Sequence, residues 1–179
     1  MSNEEENYIH QKEIDKVQAE RRERQLQALR DEERAKIASA LHTNEEVAAE
    51  ALELGFDAET AHVLPLVPLI QVAWADDKLT DAEAKKIMDL ASVKHANSPA
   101  ALEFLEMLLA KKPSQVFFER TERVIRHMIQ ASPDPQDGRD ILETAKAVAE
   151  ASGGFFGLRN PIGPEEQAIL DDLAELLGL

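Results

Sequence analysis

Leu66-Val67-Pro68-Leu69-Ile70-Gln71-Val72-Ala73-Trp74-Ala75-Asp76-Asp77-Lys78-Leu79-Thr80-Asp81-Ala82-Glu83 is the stretch that decides the fold of this chain. Its first half is apolar on every side except at Gln71, and a helix of that kind is satisfied only at the centre of a bundle. It runs into an acidic turn, Ala75 to Leu79. A second helix opens at Thr80, whose hydroxyl can cap it while Glu83, three residues on, returns a bond to the Thr80 N–H. A buried helix, a tight acidic turn and a capped amphipathic helix thus follow one another.

Upstream, Pro65 and Pro68 predict a break or kink, leaving a central helix from about Leu66 to Ala75. Asp57 caps the segment before it. Thr43 and Glu46 predict another capping box, opening a short helix through Val47, Ala51 and Leu54 that Gly55 ends. Residues 5–41 are densely charged, contain no Gly or Pro, and read as one long helix with favourable pairs such as Glu20 with Arg24 and Glu32 with Lys36. A heptad started at Ile14 and Val17 continues through Arg21, Arg24, Ala28 and Asp31, so a coiled-coil seam fails after one repeat. What remains is a solvated extension with a weak apolar edge at Leu26, Leu29, Ile37 and Leu41. It is expected to pack on its own domain or on a second subunit, and removing residues 1–40 is expected to leave the bundle folded.

Downstream, Ala84, Ile87, Met88 and Ala91 give the helix from Asp81 to Lys94 one apolar face. Asn97-Ser98-Pro99 starts another, with Leu102, Leu105, Leu108 and Leu109 inward. Ser114 to Ala131 carries Phe117, Phe118, Val124, Ile125, Met128 and Ile129 at helical spacing. Ser132 to Gly138 reads as a loop, Arg139 to Ser152 as a helix on Ile141, Ala145 and Val148, and Pro164 to Leu177 as the last helix, on Ile169, Leu173 and Leu176. No segment shows the two-residue alternation of a half-buried strand. The expectation is an all-α bundle of about seven or eight helices: a charged extension over 1–42 and a helical domain over 43–179.

The formal net charge is −15, of which residues 1–41 hold −2 and the remainder −13. The folded part is the acidic part, which disfavours nucleic acid and suits cations or a basic protein surface. Cysteine is absent, excluding thiolate metal sites and a Cys nucleophile. The acidic start and the lack of a spanning apolar run lead to the expectation of a soluble cytoplasmic protein, with peripheral attachment at the inner membrane as a second setting.

The end of the chain repeats its centre. Val72-Ala73-Trp74-Ala75-Asp76-Asp77 matches Val148-Ala149-Glu150-Ala151-Ser152-Gly153, and Leu79 to Glu83 matches Ile162 to Glu166. Residues 66–92 and 142–177 should therefore form two helix pairs about a pseudo-twofold axis, with Trp74 buried near their contact. Both turns resemble those of TerB-like domains, found in tellurite-resistance proteins and at the front of a membrane-anchored J-protein co-chaperone. The first is similar to the A-x-A-D-G-x-hydrophobic-x-x-x-E signature; the second, Ala149 to Leu158 with Ile162 and Glu166, to the A-x-A-S-G-G-F-x-G turn. The resemblance covers roughly residues 58–179, with Trp74, Leu79, Gly153, Gly154, Phe155, Gly157 and Ile162 as its structural signature. It implies an all-helical fold, a role in stress or envelope-associated assemblies, and metal handling by acidic side chains. Asp77 stands where the family has Gly, so it must take the positive φ that Asp tolerates better than most. The chain has no His-Pro-Asp tripeptide, hence no J domain.

An EF-hand ending at Glu83 would need ligands from Val72 and Trp74 and is excluded. A looser divalent-cation site from Asp76, Asp77, Asp81 and Glu83, facing Glu165, Glu166 or Asp171, is the metal-binding alternative; the bland reading is that acids at helix N-termini are solvated and favour the dipole. Glu59-Thr60-Ala61-His62 is a single Glu-x-x-His unit where di-iron bundles need two. His10, His42, His95 and His127 show no ligand spacing. Gly153 to Gly157 lacks the Gly-Lys-Ser/Thr of a phosphate loop, so its two phenylalanines are expected on the bundle, or exposed as a docking or membrane-touching tip. No catalytic constellation can be assembled. The expected function is a non-enzymatic acidic interaction module; the alternative is a metal-binding or metal-sensing stress protein.

Overall fold

A computed structural model describes residues 3–132, 134, 136–152 and 162–179. The chain is all-helical over these residues. Eight α-helices follow in order: α1 (Asn3–Ala40), α2 (Glu45–Glu53), α3 (Val67–Ala73), α4 (Asp81–Val93), α5 (Pro99–Ala110), α6 (Gln115–Ala131), α7 (Gln136–Ser152) and α8 (Pro164–Leu177). A 3₁₀ helix, Ala61–Leu66, leads into α3.

The apolar stretch sits where its composition demands. Val67, Pro68, Leu69, Ile70, Val72 and Ala73 are all buried, and Gln71 donates its side-chain amide to Glu122 Oε1 on α6 at 2.7 Å. The break expected at the prolines is real: Pro65 lies in the 3₁₀ turn and Pro68 in the first turn of α3, where a missing N–H costs nothing. The central helix is correspondingly shorter than expected.

Helix α3 packs on α7, α4 packs on α7 while α8 packs on α3, and α3 and α7 each pack on the helix that follows them in their own repeat. This is the contact pattern that a twofold axis through the α3–α7 contact generates, in agreement with the internal repeat. Around this four-helix centre lie α2, α5 and α6, with Phe56, Phe104 and Phe117 forming an aromatic seam. Trp74 is half-buried rather than enclosed, its body on the core and its indole N–H donating to the Leu108 carbonyl at 3.2 Å.

Three expectations need correction. The cap of α2 is Asn44, whose side chain accepts from Val47 N at 2.9 Å. Thr43 stands one residue too early: its N–H closes the end of α1 on the Ala38 carbonyl at 2.9 Å, and its buried hydroxyl makes no cap. The loop after α6 is shorter than expected, since Asp134 Oδ1 accepts from Gln136 N at 2.8 Å and α7 begins there. Finally, the end of α1 supplies core: Ile37 is fully buried and Leu41 nearly so, and Glu33 Oε1 accepts from Ala58 N at 2.7 Å. A cut at residue 40 therefore removes part of the bundle, not a mere appendage.

Two helices end on an unusual residue. At Gly55 (φ 92°) the chain turns out of α2 in the left-handed region natural to glycine. At the ends of α1 and α4 the same role falls to His42 (φ 51°) and His95 (φ 62°), with Thr43 N and Ala96 N closing on carbonyls five residues back at 2.9 and 2.8 Å.

Candidate functional site

Helices α4 and α8 bring their N-termini to the same place. At the first, Thr80 Oγ1 accepts from Glu83 N at 3.2 Å, and Glu83 Oε2 accepts from Thr80 N at 2.8 Å and from its hydroxyl at 2.7 Å. At the second, Glu166 Oε2 accepts from Gly163 N at 2.6 Å; Gly163 has no hydroxyl, so only the return half of the box is made. Both glutamates turn inward to make these bonds. Glu83 is 2% exposed and Glu166 8%.

The carboxyl groups of Glu83 and Glu166 then come close enough for each to feel the other's charge. Burial raises the Glu83 pKa above its ordinary value; the Thr80 donors pull it down, and the charge and hydrogen bond of Glu166 push it further up. The site is a pair of buried glutamates, held by the caps of two helices at matching positions of the repeat.

Of the six acidic residues expected to gather around a cation, only these two come together. Asp76 is exposed and caps Lys78 N through Oδ1 at 3.0 Å. Asp77 is exposed, takes φ 64° as expected for the position, and pairs with Lys112. Asp81 and Glu165 face solvent, as does Asp171, which accepts from Gln167 at 2.7 Å. Among the described residues no group of three or more His, Asp or Glu side chains converges to hold a metal ion. The six-residue set is corrected to a pair, because first-turn positions on adjacent faces of one helix point in different directions. Leu79 and Ile162, equivalent in the repeat, are both half-buried against the core. Gly153, Gly154, Phe155 and Gly157 lie outside the described residues.

A second cluster escaped the sequence reading. His62 lies with His42 beside a cavity of about 210 Å³, also lined by Lys94, Met128, Asp137 and Asp140. Burial lowers the His62 pKa, and the charges of His95 and His42 lower it further. No spacing rule could have joined residues from three separate helix ends. His127 is apart, its Nδ1 3.2 Å from Glu50 Oε2.

Helix α8 has five acidic and no basic side chains. Glu165 and Glu166 sit in its first turn, where negative charge favours the dipole. Asp171, Asp172 and Glu175 are exposed beyond that turn, and Glu175, near the C-terminal end, opposes the dipole.

Comparison with family models, with curated proteins and with solved structures returned no match.

Proposed function

We propose that this protein is a non-enzymatic helical interaction module that presents the acidic face of α8 to a basic segment of a protein partner. The observation that carries this reading is the placement of Asp171, Asp172 and Glu175. Acids at a helix start are favoured by the dipole; exposed acids in the second half of a helix lacking any basic residue have no cation of their own helix to balance them. Their repulsion is relieved when cationic side chains dock. The TerB-like assignment, with a role in stress-response or envelope-associated assemblies, rests on the sequence signatures of the two turns.

The test uses a short Lys/Arg-rich peptide titrated into the full chain. Binding should weaken steeply with salt and disappear in the Asp171→Asn, Asp172→Asn, Glu175→Gln variant. Absence of binding, or equal binding by that variant, overturns the reading.

A second reading is favoured by the buried pair itself. Glu83 and Glu166 offer two oxygen ligand groups, the donor type that hard divalent cations take. If they hold a divalent ion, Mg²⁺, Ca²⁺ or Mn²⁺ raises the melting temperature of the wild type by mass action, and Glu166→Gln abolishes the increase. An equal increase in both rejects the pair as its site.

A further inference from the structure

The C-terminal ends of α1, α4 and α6 and the N-terminal end of α7 meet around the cavity of about 210 Å³ beside His62. Its floor is apolar: Leu41, Met128 and Ile141 line it and are 9%, 9% and 6% exposed. Its charged residues stand further out. The side chains of Lys94 and Asp140 are 36% and 58% exposed, and Asp137 is exposed as well.

Each charge has a local reason to be at a helix end. Lys94 closes the C-terminus of α4 and Asp137 lies in the first turn of α7, where the dipoles favour them. Those reasons do not account for their gathering around one apolar hollow. Nor are they tightly bound to each other there. Lys94 Nζ lies 3.8 Å from Asp140 Oδ2, beyond hydrogen-bond length, and a half-exposed pair of that kind is weak. Asp137 accepts from the Ser132 hydroxyl through Oδ2 and has a second carboxylate oxygen besides. His62, whose pKa burial lowers, is neutral at pH 7 and offers one ring N–H and one acceptor.

Size and charge together define what fits. Sites for drug-sized molecules measure roughly 300–1,000 Å³, so this one suits a smaller molecule. A lone ammonium group would meet Lys94, and a lone carboxylate would meet two aspartates. A molecule carrying both signs leaves neither opposed. In an α-amino acid the two charged groups are attached to a single carbon, close enough to enter a lysine–aspartate pair 3.8 Å apart. The apolar floor then takes the side chain.

We propose that this cavity binds a free α-amino acid with an apolar side chain of about leucine size. Asp137 and Asp140 receive its ammonium group, Lys94 and the His62 N–H its carboxylate, and Leu41, Met128 and Ile141 its side chain. One loose ion pair is thereby replaced by two. The site shares no residue with the acidic face of α8.

The test titrates L-leucine into the full chain and follows the methyl signals of Met128 and Ile141 and the ring signals of His62 by NMR. All three should shift along one saturable curve. Isovalerate, which lacks the ammonium group, and isoamylamine, which lacks the carboxylate, should each bind at least about tenfold more weakly, because each leaves one sign of the mouth unmatched. Lys94→Met should reverse the order in favour of isoamylamine, and Asp137→Asn with Asp140→Asn in favour of isovalerate. The analogue series uses the wild-type chain alone, so it decides the matter even if a variant melts early. Absence of a saturable shift at these three residues overturns the proposal. So does either single-charge analogue binding as well as leucine, or folded variants that keep the wild-type order.

Discussion

Glu83 and Glu166, third residues of two different helices, close their own helix caps and bring their buried carboxyl groups together between the two halves of the repeat. Glu83 is thus held between the Thr80 donors, which favour its charged form, and burial beside Glu166, which disfavours it.

That conflict has a pH signature. Because the Glu83 pKa is raised in the fold, the protonated form is the one folding prefers, so its contribution is full below the unfolded value of 4.5 and is lost as pH rises through the folded value. Glu83→Gln keeps an acceptor for the Thr80 N–H and gains an amide donor toward Glu166. It should stabilise the protein at neutral pH by about 1 kcal/mol, the scale of one net hydrogen bond. Thermal melts from pH 4 to 8 should show the gain over wild type growing with pH.

His62 acts in the opposite direction. Its lowered pKa means that the unfolded chain takes the proton first, so its contribution is present above 6.5 and is lost as pH falls through the folded value. The cluster includes His42, His95 and Lys94, with Asp137 and Asp140 the acids that line the cavity. His62→Gln should flatten the fall in melting temperature between pH 7 and 5, and a slope equal to wild type counts against this assignment.

Truncation should show a sharp boundary. Removing residues 1–32 should leave the melting temperature of the isolated domain almost unchanged. Removing residues 1–40 takes away the fully buried Ile37, and both that deletion and Ile37→Ala should cost about 2–5 kcal/mol in denaturant unfolding.

His95→Gly relieves a side chain held at φ 62°. With no Cβ to strain the helix end, the variant should hold or gain stability by up to about 1 kcal/mol despite glycine's larger chain entropy. His95→Val, β-branched at the same angle, should lose at least that much.

The helices themselves were legible because their signals are local: the all-apolar run before Trp74, the Thr80 box, Ser98-Pro99 and Pro164. Errors arose where two elements compete for one residue. Thr43 looks like the start of α2 but spends its N–H on the end of α1, and Asp134 looks like loop but caps α7. The candidate site was half legible. Glu83 and Glu166 stand out as equivalent members of a repeat, yet a first-turn glutamate is ordinarily solvated, and only the packing of α3 against α7 brings the two caps together. Ile37 and Leu41 were visible as an apolar edge, but the charge around them made the whole helix read as removable, when its last turn completes the core.

Glycine and proline are absent between residues 5 and 41, and the helix enters the bundle through Ile37 and the Glu33 bond to Ala58 without an intervening joint. The arm therefore has no slack. A flexible tether of the same residue count would let its tip wander through a large volume and dilute anything attached there. Here distance and azimuth are both set by the pitch of one helix, so inserting or deleting two residues before Glu33 would swing whatever the tip holds to another side of the domain, by about 200°, while changing its reach by only about 3 Å.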